Sequence, residues 1–189
     1  MDDIVKQALI KWPHVPNCYG WLGLDARGNW HMRDEQTQRL GPFPLINTPS
    51  TPGARGSRLE HEKLIDFIHR NYEQDELGQW FFQNGPQRVY VELEATPYIW
   101  RVRLNENRIC VTTAHTGQVT EAQHCLVDEL GHVYLVTGLG FGLVHTQDVA
   151  VMADAIDLGL WTPEDVVFNT LDTRFGYVHH PKKMLRQCR

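Results

Sequence analysis

The chain has 189 residues, 42% of them hydrophobic and 22% charged, the mixture of a globular protein with one large core or two small ones. Its formal charge of −5 disfavours nucleic acid as a partner, although it leaves a local basic patch open. No apolar run approaches the ~20 residues that span a bilayer, and the acidic start is unlike a secretory signal. We therefore expect a cytoplasmic protein with no membrane association.

The first predicted elements are a short helix and a β-hairpin. The helix, MDDIVKQALIKW, stops at Pro13. The hairpin joins YGWLGL to DARGNWHM (25–32), whose Asp-x-x-Gly pattern returns in DELGQWFF (75–82) and DELGHVYL (128–135). In such a turn, Asp bonds nearby backbone amides and Gly accepts a positive φ. The third copy also predicts a hairpin, whereas the middle copy, which follows a helical pattern, predicts a helix stop.

A segment rich in Pro, Gly, Ser and Thr, residues 41–57, predicts a long loop or linker. It ends at Ser57, and Glu60 three residues later completes a capping box that predicts the start of a helix. The predicted organisation is therefore an N-terminal helix and hairpin over 1–40, the loop, and a main body over 58–189. A single domain is the alternative.

Residues 79–145 predict successive antiparallel strands, because only short turns at 84–86, 95–97, 105–107 and 115–117 separate them. A helix over 147–158 and a short one that begins at Pro163 follow. The sum predicts an α+β fold, an antiparallel β-meander with helices packed on one face.

Two enzyme classes are disfavoured because the sequence lacks their motifs. Glycines 138, 140 and 142 do not have the Gly-x-Gly-x-x-Gly spacing of a dinucleotide site, so a twisted strand is the favoured interpretation. The only serines, Ser50 and Ser57, lie in the loop and at the predicted cap, which excludes a serine hydrolase.

Polar residues near the predicted helix suggest an anion site and a metal site. Arg55, Ser57 and Arg58 could bind an anion at the helix N-terminus, although Glu60 places negative charge there. Glu62, Asp66 and His69 are spaced to share one helix stripe, which suits a divalent metal or acid–base chemistry. A loop with solvated arginines and a solvated helix face are the favoured interpretations.

A cluster of thiols and imidazoles contains the ligands that zinc prefers, but at none of the familiar zinc spacings. Its members are Cys110, His115, His124, Cys125 and His132. We therefore predict no cofactor, with a divalent metal as the alternative. The scattered cysteines, with no Cys-x-x-Cys pair, predict free thiols at Cys18, Cys110, Cys125 and Cys188.

The segment FFQNGPQRVYVELEATPYIWRVRL (81–104) is the richest in aromatic and arginine residues. If its second and third strands pair around residues 95–97, Glu92 lies opposite Arg101 as a cross-strand charge pair. The same outer face then carries Arg88, Tyr90 and Arg103.

The register of the preceding strand decides whether this face binds a partner. If the turn at 84–86 sets Phe81 opposite Val89, Trp80 and Phe82 join Arg88 and Tyr90 on an exposed surface of the composition that binding sites favour. A shift of one residue instead places both aromatics in the core.

Three segments, NCYGWLGLDARGNWHMRDE, FFQNGPQRVYVELE and LGFGLVHTQD, resemble a family of uncharacterised proteobacterial proteins of about this length. The resemblance spans most of the chain. It implies a bacterial cytoplasmic protein and assigns no catalytic residues.

The leading hypothesis is a non-enzymatic binding module that docks a protein or peptide on the surface around Trp80, Phe82, Arg88, Tyr90 and Arg103. One alternative is a metal-dependent enzyme that uses the carboxylate–histidine stripe or the thiol–imidazole cluster. The other is single-stranded RNA binding, with aromatics that stack on bases and arginines that hold phosphate. The sequence leaves homo-oligomerisation open.

Overall fold

A computed structural model describes residues 2–105 and 108–181, and these form two compact units. The N-terminal unit contains residues 2–25, 29–95 and 176–181. The C-terminal unit contains residues 26–28, 96–105 and 108–175. Helices and mostly antiparallel strands coexist in both, which confirms the α+β prediction. Neither unit ends within the loop 41–57.

The N-terminal unit is one mixed sheet with three helices. Its strands are β1 (Cys18–Leu24), β2 (Trp30–Met32), β3 (Ser57–Arg58), β4 (Tyr72–Gln74), β5 (Trp80–Asn84) and β6 (Gln87–Leu93), and its helices are α1 (Asp3–Lys11), α2 (Glu35–Leu40) and α3 (Glu62–Arg70). The strand order is β3-β2-β1-β6-β5-β4. All neighbours are antiparallel except β1 and β6, which run parallel at the centre.

The predicted capping box at Ser57 is wrong. Ser57 and Arg58 pair with Met32 and His31 of β2, so the backbone there completes a sheet ladder instead of a helix turn. The helix starts five residues later, where Nδ1 of the N-cap residue His61 accepts a hydrogen bond from the Leu64 amide.

The loop 41–57 packs onto the N-terminal sheet. Phe43 is fully buried against Gly23 of β1, where a Cβ atom would lie 2.4 Å from the phenyl ring. The buried Arg33 guanidinium donates to the carbonyls of Ala54 and Gly41, which holds the loop at two further points. This segment is therefore part of a folded unit.

The C-terminal unit is a second mixed sheet with two helices. Its strands are β7 (Tyr98–Asn105), β8 (Arg108–Thr113), β9 (Val119–Thr120), β10 (Ala122–Asp128), β11 (Val133–Thr137), β12 (Gly140–Val144) and β13 (Glu164–Val166), and its helices are α4 (Val149–Asp157) and α5 (Leu171–Phe175). The order is β13-β10-β11-β12-β7-β8-β9, with parallel pairs at β10–β13 and β12–β7. The helix predicted to begin at Pro163 is wrong, because this segment adds β13 to the sheet edge.

The glycines of β12 serve close packing. A Cβ atom on Gly142 would lie 2.5 Å from Nε1 of Trp100, a fully buried side chain that donates to the Leu135 carbonyl. This agrees with a tightly packed strand and leaves no glycine turn between β12 and the following helix for a dinucleotide.

All three Asp-x-x-Gly copies are β-hairpin turns, so the helix stop predicted at Asp75 is wrong. Oδ1 of Asp75 accepts from the amides of Leu77 and Gln79, and Oδ1 of Asp128 accepts from those of Leu130 and His132. Asp25 likewise accepts from the Asn29 amide. The three glycines have φ values of 79°, 78° and 82°, in the left-handed region that favours glycine.

The predicted pairing around residues 95–97 is also wrong. The chain leaves the first sheet there, so β6 pairs with β1 and β5, and β7 pairs with β8 and β12. Glu92 consequently contacts His180 at 2.7 Å, and Arg101 forms a two-pronged pair with Asp148 at 2.6 and 3.0 Å.

The free-thiol prediction is confirmed for Cys18, Cys110 and Cys125, and Cys188 lies outside the described residues. Among the helices that the structure describes, none is both long and apolar enough to cross a membrane.

Candidate functional site

The turn between β5 and β6 decides which aromatics are exposed. Asn84 pairs with Gln87 across a two-residue loop, so Phe82 lies opposite Val89 and Phe81 opposite Tyr90. Trp80 and Phe82 therefore point into the core, where they are only 8% and 6% exposed. The first of the two predicted registers is wrong, and these two aromatics do not share a face with Arg88 and Tyr90.

The opposite face of the same strands carries a different group, which we call the aromatic surface: Tyr19, Trp21, Phe81, Arg88 and Tyr90. The Tyr19 ring stacks on the Tyr90 ring with centroids 4.5 Å apart and planes 4° apart. The Arg88 guanidinium lies 4.6 Å from the centroid of the Phe81 ring. Phe81 and Tyr90 are buried, whereas Arg88 is exposed.

An irregularity in β1 places Tyr19 and Trp21, two of the residues that the sequence did not indicate. Cys18 pairs with Val89 and Leu22 with Val91, so three β1 residues lie opposite the single residue Tyr90. Gly20, with φ of 79°, allows this bulge. Leu22 faces the core, so its neighbour Trp21 lies on the other face, where it is 41% exposed.

The electrostatics of the surface are set by one carboxylate and one cation. Burial, followed by a hydrogen bond to Asp75, raises the pKa of Tyr90 to about 12. Its hydroxyl donates to Asp75 Oδ2 at 3.0 Å, which holds the ring in place. The neighbouring Arg88 guanidinium acts in the opposite direction and lowers the pKa of Tyr90. Among the described carboxylates, none forms an ion pair with Arg88.

The far end of the same sheet face carries two buried carboxylates, Asp25 and Glu94, that already have partners. Nε2 of His31 lies 2.9 Å from Asp25 Oδ2, and Arg55 bonds Glu94 and lies 3.8 Å from Asp25. The predicted anion site therefore does not converge. Arg55 turns toward two carboxylates, while Ser57 and Arg58 are consecutive, exposed residues of β3.

The predicted metal ligands are similarly divided. Glu62 and Asp66 are exposed, but Nε2 of His69 accepts a hydrogen bond from Trp30 Nε1 at 2.9 Å. Burial lowers the pKa of His69 to about 4. In the described parts of the chain, no group of three or more His, Cys, Asp or Glu residues is arranged to hold a metal ion.

The thiol–imidazole cluster is spread over the C-terminal unit. His124 is exposed on β10, whereas its neighbour Cys125 is buried, and burial raises the pKa of that thiol to about 11. Arg103 also belongs to this unit, where it is exposed and pairs across the strands with Cys110. It is therefore not part of the aromatic surface.

A sequence signal for the missed residues exists in YGWLGL. Leu22 and Leu24 alternate as a core-facing pair, which assigns Trp21 to the other face. The partner strand could not be identified in this way, because β6 lies more than 60 residues away and runs parallel to β1.

Fold and surface together define an α+β protein of two compact units, one of which presents an aromatic sheet surface. The chain belongs to the family described as "Protein of unknown function (DUF2946)", whose model matches residues 1–182. The resemblance noted in the sequence is thus confirmed as far as an uncharacterised family.

Two solved structures are similar to this chain. One is a DUF1285 family protein from Shewanella baltica OS155, with 14% identity and a TM-score of 0.47, covering 73% of this chain and 94% of its own. The other is a DUF1285 family protein from Silicibacter pomeroyi DSS-3, with 11% identity and a TM-score of 0.47, covering 82% and 84%. No curated protein matches the chain.

Proposed function

We propose that this protein is a cytoplasmic, non-enzymatic binding module that docks a protein or peptide segment on the aromatic surface. The observation that carries the proposal is Trp21, which is 41% exposed inside a strand of the N-terminal sheet, on the face that carries Arg88. Tryptophan, tyrosine and arginine are the residues most enriched among those that dominate binding energy.

Two side chains of the surface, Tyr90 and Arg88, are held in place before any partner arrives. Tyr90 is fixed by its bond to Asp75 and by the Tyr19 stack, and Arg88 is fixed by the Phe81 ring and the Tyr90 side chain. Rigid side chains lose little conformational entropy on binding, so more of the contact energy becomes affinity.

The alternatives receive less support from the same residues. A surface for single-stranded RNA needs a basic groove along the backbone, whereas Arg88 is the one cation among the five residues of the aromatic surface and the chain is acidic overall. A metal-dependent enzyme would need converging donors, whereas His69 accepts a hydrogen bond from Trp30 and Glu62 and Asp66 are exposed.

A photo-crosslinking amino acid placed at position 21 tests the proposal, with position 12 as the matched control. Trp12 is also an exposed tryptophan, 51% accessible, with the Lys11 ammonium 4.5 Å from its ring centroid, but it lies outside the aromatic surface. We expect a defined crosslinked protein from position 21 alone.

The recovered protein is then purified and its affinity measured by calorimetry. Trp21→Ala should weaken binding about 10-fold or more, since tryptophan anchors commonly contribute over about 1.4 kcal/mol, and Trp12→Ala should leave it unchanged. Identical crosslinks from both positions, or equal binding by wild type and Trp21→Ala, would refute the proposal. Circular dichroism checks that both variants are folded.

A further inference from the structure

We infer that the segment bound by the aromatic surface is acidic, and that it sets an Asp or Glu carboxylate on Arg88 beside an apolar side chain on Trp21. This inference rests on the proposed function and adds the chemical class of the partner. Its basis is the setting of Arg88, whose guanidinium lies 4.6 Å from the Phe81 ring centroid and forms no ion pair with a described carboxylate.

Six other arginines have oxygen acceptors within the chain. Arg33 donates to two carbonyls, and the remaining five pair with carboxylates: Arg39 with Glu35, Arg55 with Glu94, Arg70 with Asp2, Arg101 with Asp148 and Arg174 with Glu164. Arg88 instead lies against the Phe81 ring and the Tyr90 side chain. Its positive charge therefore has no counter-charge among the described ion pairs.

The carboxylate that bonds the Tyr90 hydroxyl is already committed. Asp75 accepts from the amides of Leu77 and Gln79, from the Gln79 side chain and from the Tyr90 hydroxyl. With both oxygens occupied, it anchors the Tyr90 ring without pairing with the Arg88 guanidinium. An arginine held against a ring, with N–H groups left over, is preorganised for a carboxylate, which it can bind through two parallel hydrogen bonds.

The anion is better matched as a carboxylate than as a phosphate. A phosphate monoester carries nearly two negative charges at neutral pH and is usually held by a cluster of arginines. The aromatic surface has one arginine, which matches the single charge of a carboxylate better than the nearly double charge of a phosphate. Trp21 is one of the three β1 residues opposite Tyr90, and its exposed ring supplies an apolar contact on the face that carries Arg88.

Four pools of fluorescein-labelled nonapeptides test the inference. They share a central X-Phe pair in degenerate Ser/Gly/Ala flanks, and X is Glu, Gln, Lys or phosphoserine. Fluorescence anisotropy is measured at low and high salt with wild type, Arg88→Gln, Trp21→Ala and the control Arg58→Gln, an exposed arginine of the same unit.

Wild type should bind the Glu pool about 10-fold more tightly than the Gln pool, with a preference that shrinks at high salt. Arg88→Gln should abolish that preference and Arg58→Gln should keep it. The inference of an acidic partner is refuted by equal binding of the Glu and Gln pools, by no binding of the Glu pool, or by tighter binding of the phosphoserine pool. If Trp21→Ala still weakens peptide binding, the docking surface stands. If Trp21→Ala leaves the affinity for all four pools unchanged, the proposed function itself fails.

Discussion

Replacing Asp128 with alanine removes the acceptor around which the β10–β11 hairpin turns. Its Oδ1 accepts from the amides of Leu130 and His132 at 2.9 and 2.8 Å. Its Oδ2 accepts from His132 Nδ1 and from the Tyr134 hydroxyl, both at 2.8 Å. Tyr134 is fully buried, so the substitution removes the Asp128 acceptor of a hydroxyl that lies away from bulk water.

The expected loss follows from these four bonds. A hydrogen bond to a charged group contributes about 1.5–3 kcal/mol, and a buried hydroxyl left without an acceptor costs about 1–3 kcal/mol. Because the two amides near the turn can bond water after the change, we expect a total loss of about 3–5 kcal/mol. Asp128→Asn, which keeps one carbonyl oxygen for the amides, should lose about half as much, roughly 1–3 kcal/mol.

Native-state hydrogen exchange of the β10 and β11 amides measures the loss locally, and urea unfolding measures it for the chain. Asp154→Ala, an exposed aspartate of α4, is the control and should change the unfolding free energy by less than about 0.5 kcal/mol. A loss below about 1 kcal/mol for Asp128→Ala would show that the turn does not depend on its carboxylate.

The pH dependence gives a second test of the same variant. Burial alone would raise the pKa of Asp128, but the hydrogen bonds from His132 and Tyr134 and from the turn amides hold it below 3.8. Its stabilising effect is therefore present above the ordinary pKa and is lost as the pH falls through the lower, folded value. The difference between wild type and Asp128→Ala should shrink below about pH 4.

Two further predictions concern the N-terminal unit. Burial holds the pKa of His69 at about 4, below its ordinary value of 6.5. The unfolded chain therefore takes up the proton first, and stability should fall as the pH drops from 6.5 towards 4. Since the ring is partly exposed, we expect about 1–2 kcal/mol, measured by urea unfolding at three pH values. His69→Gln, which keeps an acceptor for Trp30, should flatten this slope; an unchanged slope would contradict the assignment. Gly23→Ala should cost about 1–3 kcal/mol through its clash with Phe43, and the loss should shrink in a Phe43→Leu background. Strictly additive losses would contradict that contact.

Turn chemistry was predictable because it acts over a few residues. Asp25 and Asp128 begin hairpin turns, as their Asp-x-x-Gly patterns indicated. The carboxylate that accepts from the turn amides and the glycine that adopts a positive φ lie within the same few residues. Asp75 uses the same chemistry, but its hairpin was missed. Helix α3 ends at Arg70, which leaves just enough chain for β4 before the turn.

The candidate site was predicted only in part. Arg88 and Tyr90 were assigned to one face correctly, because alternation along a strand is local. Whether Trp80 or Phe81 joined them depended on a shift of one residue at Gly85, and burial of Trp80 and Phe82 in the core decides it.

The sequence by itself determined the α+β class, the Asp-Gly turns and the shared face of Arg88 and Tyr90 on β6. Tertiary structure alone decided that β6 and β7 belong to different sheets, that β1 brings Tyr19 and Trp21 to Tyr90, and that Glu92 meets His180. The reason is physical: the local rules act within a few residues, whereas the choice of a neighbouring strand depends on which distant apolar faces bury one another.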